Sequence, residues 1–224
     1  MIFSKKQFII FGSSILMFII LSYNFLDLSI AHYFLDHADI YRTLGKELSR
    51  AGESQWYFSI GIAGALYFHF IKKNTLYTNR FLFLLYANIF SGLTSLILKS
   101  LFGRLRPRML DQESMHYGFS LFKDFSSNSF EQIQLHLTHL AHSFSSYTSF
   151  PSGHATTTFT IFTYLSLLFP KYIYLWLTVA TLVAAGRVMA TVHYLSDVVA
   201  GATLGIITTL YIYKKMKHKL QTTK

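Results

Sequence analysis

Six apolar runs, separated by polar segments, limit what this 224-residue chain can fold into. Runs of this length suit helices that cross the roughly 30 Å hydrocarbon core of a bilayer. Their approximate ranges are 8–26, 56–71, 81–101, 154–169, 172–187 and 195–213. The sequence therefore predicts an all-α membrane protein, a six-transmembrane-helix bundle in a single domain over residues 1–224. An amphipathic or irregular outer-face loop is expected at 102–150.

Composition agrees with a membrane protein, because 52% of the residues are hydrophobic and only 13% are charged. Soluble domains carry nearer a quarter of charged residues. The chain has no cysteine, which excludes disulfides, thiolate nucleophiles and thiolate metal sites. The first run is too long for a signal-peptide core and has no small-x-small cleavage site, so we interpret it as a membrane anchor.

The net charge of +10 is distributed in a way that predicts an orientation. Six spans place both termini on one side, which the positive-inside rule makes cytoplasmic. The basic residues expected on that side are Lys5, Lys6, Lys72, Lys73, Arg80, Lys171 and the lysines of 214–219. We predict a bacterial inner-membrane protein whose functional site faces the periplasm.

Five cations fall on the outer side and break the positive-inside pattern together. They are Lys99, Arg104, Arg106, Arg108 and Arg187. A lysine such as Lys99, taken alone, more often extends to the lipid headgroups. A common anionic ligand would explain the whole set. For Arg104 and Arg108, contact with a second phosphate or headgroup and simple attraction to anionic lipid are equally open.

The stretch from Gly186 to Asp197 places charge between two apolar runs. If a helix begins near His193, then His193 and Asp197 share one helical face. The carboxylate could accept the proton of one imidazole nitrogen and leave the other as a nucleophile or base. Arg187 offers a forked cation to an anionic substrate.

Two further segments add anion-binding groups. Pro151-Ser152-Gly153-His154 predicts a turn into a helix, whose free N–H groups, together with the Ser152 hydroxyl and the His154 imidazole, suit an anion. Lys99 and Arg106 are seven residues apart and could share a helical face. The residue before Pro107 is nevertheless biased towards an extended conformation.

These three segments resemble the signature of the type 2 phosphatidic acid phosphatase family, which are integral membrane lipid phosphatases. The matching residues are Lys99…Arg106-Pro107, Pro151-Ser152-Gly153-His154 and Gly186-Arg187…His193…Asp197. The resemblance also covers the six-helix layout. One departure is Gly186, where the family commonly has a serine whose hydroxyl would be one phosphate donor among several.

The resemblance implies a mechanism without metal or cofactor. His193 would attack phosphorus and form a phosphohistidine, Asp197 would orient the imidazole, and His154 would protonate the leaving oxygen and later activate water. The phosphoryl oxygens would be held by Lys99, Arg106, Arg187, Ser152 and the backbone at Gly153.

Several alternatives accompany this interpretation. The two histidines and Asp197 could form a metal triad, although the neighbouring cations would repel a divalent ion. His136, His139 and His142 could bind a metal, but their spacing favours the wet face of an amphipathic segment. A non-catalytic lipid-phosphate binding or flipping protein, or an anion transporter, would use the same cations.

The predicted partners are the bilayer and a membrane lipid phosphate, with no nucleic acid; the sequence does not indicate an oligomeric state. Enzymes of this family and size act on lipid A, undecaprenyl pyrophosphate, phosphatidylglycerol phosphate or phosphatidic acid. The long outer loop at 102–150 could accommodate a large glycolipid and favours lipid A slightly.

Overall fold

A computed structural model describes residues 5–110, 117–120, 133–134, 137–138, 141 and 144–221. Within these residues the fold is helical, and the extended pairing is a single bridge between Arg104 and Phe119. The α-helices of the described ranges are α1 (Lys5–Leu21), α2 (Asp27–Asp36), α3 (Ala38–Ser49), α4 (Ser54–Leu66), α5 (Thr75–Phe102), α6 (Phe144–Tyr147), α7 (Gly153–Leu168), α8 (Ile173–Met189) and α9 (Leu195–Leu220). The predicted all-α fold is confirmed.

Four helical stretches are long and apolar enough to cross a membrane, among the residues described. They are Ile9–Asp36, Thr75–Phe102, Pro170–Met189 and Leu195–Leu220. They identify an integral membrane protein. The second and fourth predicted runs correspond to α4, which a π-helical turn extends to Ile71, and to the 16-residue α7. The count of six spans stays a prediction.

The first span is longer than the predicted range 8–26. A π-helical segment, Ser22–Leu26, joins α1 to α2 without a break, so the helical path continues to Asp36. Polar residues follow Leu26 in the sequence, but the π-helical turns keep the backbone hydrogen bonded. Asp27 therefore begins a helix inside the protein.

Close contact between α7 and α9 forms the centre of the bundle, with α5 packed against both. Gly201 and Gly205, one turn apart on α9, make this contact possible. A Cβ atom at either position would lie 2.4 Å from a carbonyl oxygen, that of Ser152 or Thr156. Small residues at four-residue spacing let membrane helices approach closely.

The segment 28–53, which lies between the first two predicted runs, contributes a packed helix. One face of α3 lies against α8, where Gly45 and Gly186 bring the two backbones together. The other face carries exposed charges such as the Arg50–Glu47 ion pair at 2.8 Å. Helix α3 is therefore amphipathic, and its apolar side covers the end of α8.

The bundle has two chemically different ends. The start of α5 meets the end of α9, where Asn79 Nδ2 donates to the Lys219 carbonyl at 3.3 Å. The opposite end collects the last turns of α5 and α8 and the first turns of α7 and α9. The residues predicted to bind phosphate lie at that opposite end.

Candidate active site

The first motif leaves its helix before reaching Arg106. Helix α5 ends at Phe102, and Gly103 takes the left-handed conformation, with φ 56°, that commonly closes a helix. Arg106 is extended, with φ −79° and ψ 148°, as its position before proline favours. Lys99 and Arg106 therefore do not share a helical face. The turn instead lets the Arg106 N–H donate to the Ser146 carbonyl at 2.9 Å.

The second motif begins α7 beside Lys99. Ser152 is the N-cap, and its oxygen accepts a 3.4 Å hydrogen bond from the Ala155 N–H. The Ser152 N–H donates to the Asp197 carbonyl at 3.0 Å, which joins this motif to the third. A Cβ on Gly153 would lie 3.6 Å from Lys99 Cε. Lys99, Gly153 and His154 line one cavity.

The third motif forms a tight turn ahead of α9. The N–H groups of Val192 and His193 both point to the Arg187 carbonyl, at 3.2 and 3.3 Å. Thr191 has φ 55°, a strained value for a β-branched residue. Because α9 begins at Leu195, His193 precedes the helix, and the expected shared face with Asp197 is not formed.

His193 is held by the backbone of Ser149. Its Nδ1 lies 2.7 Å from the Ser149 carbonyl and 3.7 Å from Asp197 Oδ2. Ser149 Oγ donates to Asp197 Oδ2 at 2.5 Å, and the Tyr194 N–H donates to the same oxygen at 2.9 Å. Asp197 therefore reaches the ring chiefly through Ser149. An Nδ1–H that donates to a carbonyl leaves Nε2 without a proton.

Burial controls the charge of this ring. His193 is 2% exposed, and burial holds its pKa well below the ordinary histidine value. The nearby Asp197 carboxylate opposes this shift, whereas the charges of Lys99 and Arg106 add to it. The imidazole is therefore neutral near pH 7 and keeps the lone pair that a nucleophile needs.

Three cations lie near the histidines, and two of them have hydrogen-bond donors without a partner among the described residues. Lys99, Arg106 and Arg187 each act electrostatically on His154. Within the described ranges, the buried Nε–H groups of Arg106 and Arg187 have no hydrogen-bond partner. Burial and the charge of Arg108 lower the pKa of Arg106 to about 10, which leaves it protonated. Positive groups with free donors, beside the start of α7, have the chemistry that suits binding of an anion.

The metal alternatives gain no support from the described residues. Among them, no group of three His, Cys, Asp or Glu side chains could hold a metal ion. His136, His139 and His142, the other candidate ligands, lie outside the residues that the structure describes.

Arg104 has a role that the sequence interpretation missed. Both open alternatives placed it near lipid or a second phosphate, but its side chain is fully buried. It pairs with Asp197 and, at 2.7 Å, with Asp27 Oδ2. Burial alone would lower the pKa of Arg104, but Asp197, Tyr117 and Asp27 raise it above the ordinary value. Its charge is neutralised internally. Arg108, by contrast, is exposed.

Aromatic rings enclose the Arg104 guanidinium and keep water away from it. Its central carbon lies 4.1 Å from the ring centre of Tyr194 and 4.9 to 5.2 Å from those of Tyr23, Tyr117 and Phe119. Such cation–π contacts strengthen when they are desolvated. Part of the aromatic content of the chain therefore encloses a buried charge.

Asp27, at the start of α2, is a buried carboxylate that the sequence interpretation did not single out. It is 1% exposed and accepts hydrogen bonds from Ser22 Oγ at 2.8 Å and the Ser196 N–H at 3.0 Å. The first residue of α2 thus anchors the first turn of α9. No sequence signal pairs Asp27 with Arg104, because 77 residues separate them.

Gly186 is explained by packing. A Cβ there would lie 2.7 Å from the Gly45 carbonyl and 3.0 Å from Leu48 Cβ. The family's usual serine would therefore push α3 away from α8. The same helix supplies Ser49, whose hydroxyl accepts a 3.1 Å hydrogen bond from Arg187 Nη1. The glycine brings α3 close enough to hold the arginine.

Gly186→Ala is expected to destabilise the fold by about 1–3 kcal/mol, because backbone and not a flexible side chain must move. Thermal unfolding in detergent measures the change. Gly12→Ala is the control, since a Cβ at Gly12 in α1 meets no atom within 4 Å. A Gly186→Ala protein as stable as the Gly12→Ala protein would contradict the packing explanation.

The structure thus defines an integral membrane protein with a cationic, histidine-containing site at one end of a helical bundle. The PAP2 superfamily model matches residues 80–220, and the chain belongs to the PAP2 superfamily. This confirms the resemblance drawn from the three motifs.

Two lipid A 1-phosphatases are similar to the chain. That of Rhizobium johnstonii is 35% identical over 174 residues, which cover 72% of this chain and 62% of the relative. That of Rhizobium etli is 31% identical over 176 residues, which cover 73% and 66%. The chain thus spans less than two thirds of either relative.

Two solved structures share the fold. The crystal structure of Aquifex aeolicus LpxE has a TM-score of 0.57 and 23% identity, and the match covers 84% of this chain and 95% of that one. A transmembrane PAP2-type phosphatidylglycerolphosphate phosphatase from Bacillus subtilis has a TM-score of 0.58 and 19% identity, with 95% and 98% covered.

Proposed function

We propose that the protein is a lipid phosphatase that removes the 1-phosphate of lipid A through a phosphohistidine on His193. One observation carries the proposal: the buried imidazole of His193 is held at Nδ1 by the Ser149 carbonyl and lies close enough to Lys99 and Arg106 for their charges to keep it neutral. A nucleophile beside a preformed anion site is the arrangement that phosphoryl transfer needs.

In the first step, Nε2 of His193 attacks phosphorus and the bond to the leaving oxygen breaks. Lys99, Arg106 and Arg187 disfavour a charged His154 in the substrate-free site, and the bound phosphate dianion offsets their charge. His154 can then hold a proton and donate it to that oxygen, so the lipid departs as a neutral alcohol. The cations Lys99, Arg106 and Arg187 stabilise the charge that spreads over the phosphoryl oxygens. The Ser152 hydroxyl and the backbone at Gly153 add donors at the start of α7. The product is a phosphoramidate on His193.

In the second step, water replaces the histidine. His154, now unprotonated, takes a proton from water as the water oxygen attacks phosphorus, and the P–N bond breaks. Inorganic phosphate leaves, and both histidines return to their starting states. Fixed cations supply the charge stabilisation that a divalent metal supplies in other phosphoryl transfers.

We place the site at the periplasmic face of the inner membrane, with both termini in the cytoplasm. The site lies at the end of the bundle opposite the basic segments around Lys72, Lys171 and Lys219. Because positive loops favour the cytoplasmic side, that opposite end faces outwards. Its position at the ends of membrane helices suits a lipid whose phosphate lies at headgroup level.

Similarity to two lipid A 1-phosphatases supports the choice of substrate. The test is release of inorganic phosphate by the purified protein in EDTA. The panel is lipid A, undecaprenyl pyrophosphate, phosphatidylglycerol phosphate and phosphatidic acid. We expect release from lipid A to be fastest and unaffected by EDTA. Faster release from another lipid would contradict the assignment of lipid A as the substrate. Activity that is lost in EDTA and restored by one metal would contradict the metal-free mechanism.

A protein that only binds or flips lipid phosphates is the competing function. It would bind lipid A and release no phosphate from any lipid of the panel. Retention of His193, His154 and Asp197 together argues against it, because a binding protein has no need of all three.

A further inference from the structure

The connection between α6 and α7 contacts residues of the first and the third motif. Lys99 Nζ donates to the Thr148 carbonyl at 2.6 Å, and the Ser149 N–H donates to the Arg104 carbonyl at 3.0 Å. The Ser149 carbonyl lies 2.7 Å from Nδ1 of His193. Two adjacent residues of this connection therefore hold a lysine of the proposed site on one side and its nucleophile on the other.

The Ser149 hydroxyl is buried against the acidic residue of the site. Its Oγ lies 2.5 Å from Asp197 Oδ2, but 3.5 Å from both Nδ1 of His193 and the Val192 carbonyl. A hydroxyl has one proton to donate, and the shortest contact is the one with the charged acceptor. The hydroxyl therefore occupies Asp197 Oδ2, the oxygen that lies 3.7 Å from the ring nitrogen.

The Asp197 carboxylate is hydrogen bonded at both oxygens. Oδ1 pairs with Arg104, and Oδ2 accepts from the Ser149 hydroxyl and, at 2.9 Å, from the Tyr194 N–H. The 3.7 Å separation from Nδ1 of His193 is beyond hydrogen-bonding distance. The ring contacts a neutral carbonyl instead, which favours an imidazolium less than a direct contact with a carboxylate would.

We propose that Ser149 is a positioning residue for the nucleophile. Its carbonyl holds the Nδ1–H of His193, and its hydroxyl occupies Asp197 Oδ2, so that the ring stays neutral and Nε2 stays free to attack. The proposal rests on the proposed function, since it concerns the attacking atom of the same site.

The charged and titratable groups around the ring come from several elements. Lys99 of α5 and Arg106 in the turn after it disfavour a charged imidazole, whereas the Asp197 carboxylate of α9 favours one. Arg187 of α8 and His154 of α7 complete the titratable groups of the proposed site. Of these groups Asp197 alone is negative. The donors that occupy its oxygens therefore control how strongly the site can charge the nucleophile.

Ser149→Ala tests the role of the hydroxyl, because it keeps the backbone carbonyl. Asp197 Oδ2 then loses one of its two donors and attracts the Nδ1–H of His193 more strongly, which raises the pKa of that ring. A raised pKa means that the neutral nucleophile is lost at a higher pH as the pH falls.

The measurement is the pH dependence of kcat/KM with lipid A, whose acid limb reports groups of the free enzyme. We expect the acid limb of Ser149→Ala to move up by about one pH unit, as the loss of one hydrogen bond to a charged group predicts. Ser149→Cys has a weaker donor and should move the limb in the same direction by less. A purely structural role would lower kcat/KM by the same factor at every pH, and that result in both variants would contradict the proposal.

Ser91→Ala is the matched control. Ser91 is also buried, but its hydroxyl bonds the Asn88 carbonyl at 3.2 Å and Thr160 instead of Asp197. This variant also loses a buried hydroxyl, yet it should keep the wild-type acid limb. An equal movement of the limb in Ser91→Ala and Ser149→Ala would contradict a specific role for Ser149.

A second measurement does not depend on turnover. Protein containing histidine labelled at Cε1 is titrated in detergent micelles and followed by NMR, and the His193 signal is identified by its absence from His193→Ala. Its midpoint should rise by about one pH unit in Ser149→Ala. It should not rise further when Ser149→Ala is added to Asp197→Asn, because an amide attracts an imidazolium far less than a carboxylate does.

Two NMR results would contradict the proposal: an unchanged midpoint in Ser149→Ala, or an equal rise with and without the Asp197 carboxylate. Failure of the proposed function gives a different result. The wild-type protein would then release no phosphate from any lipid of the panel, while the midpoints would still test whether Ser149 keeps the ring neutral.

Discussion

His193→Ala is expected to lower the rate of phosphate release from lipid A by at least about a thousandfold, the order of loss when a covalent nucleophile is removed. Alanine leaves no atom that can form the P–N bond, and no other described imidazole is held by the Ser149 carbonyl. The measurement is kcat with saturating lipid A in detergent micelles, followed by released inorganic phosphate.

His69→Ala is the matched control, because His69 is exposed in the π-helical segment that follows α4, at the other end of the bundle. It should keep wild-type turnover. Both variants should retain the wild-type unfolding temperature within a few degrees. Undiminished turnover by a folded His193→Ala protein would remove His193 as the nucleophile.

Arg104→Met is expected to destabilise the protein by about 3–5 kcal/mol, the cost of leaving buried charges without their partner. Methionine fills much of the volume among the aromatic rings but leaves the carboxylates of Asp27 and Asp197 uncompensated. Turnover should fall as well, since Asp197 then loses the partner that holds its Oδ1. Chemical unfolding in detergent and kcat on the surviving folded fraction measure both effects.

Two further variants distinguish the loss of the buried ion pairs from the loss of any arginine charge. Arg50→Met breaks the exposed Arg50–Glu47 pair and should cost less than about 1 kcal/mol. Asp27→Asn added to Arg104→Met should recover part of the lost stability, because one uncompensated charge is removed. Equal losses in Arg104→Met and Arg50→Met would contradict a structural role for the buried pair.

The motifs predict the site residues because their chemistry is local in sequence. Each short segment carries its own functional group, such as the imidazole of His154 after a turn or the guanidinium of Arg187 before one. Four of the apolar runs became helices of membrane-spanning length for an equally local reason: a backbone in lipid must satisfy its own hydrogen bonds.

Contacts between distant segments could not be predicted in this way. Ser149 contacts the ring of His193 from 44 residues away, and it precedes the recognisable motif by two positions. Arg104 and Arg106 are both arginines in one short run, yet Arg104 pairs with two buried carboxylates, whereas Arg106 forms no ion pair within the described residues. The sequence shows which residues are charged, but it does not show which residues they pair with.

The predicted helix boundaries were wrong where a single residue starts or ends a helix. Asp197 caps the start of α9 by accepting from the Tyr194 N–H, so the helix begins too late to include His193. Gly103 ends α5 in a left-handed turn before Arg106. In both places a break in the helix positions the candidate site residues. The periodic pattern of apolar residues did not predict that break.

The phosphoenzyme is the central claim, and rapid quenching tests it directly. Protein is mixed with lipid A labelled at the 1-phosphate, stopped in alkaline denaturant within one turnover, digested and analysed by mass spectrometry. We predict acid-labile phosphate on the peptide that contains His193, and none on the same peptide with alanine at that position. Phosphate attached to another residue, or phosphate release with inversion at phosphorus, would contradict a covalent step on His193.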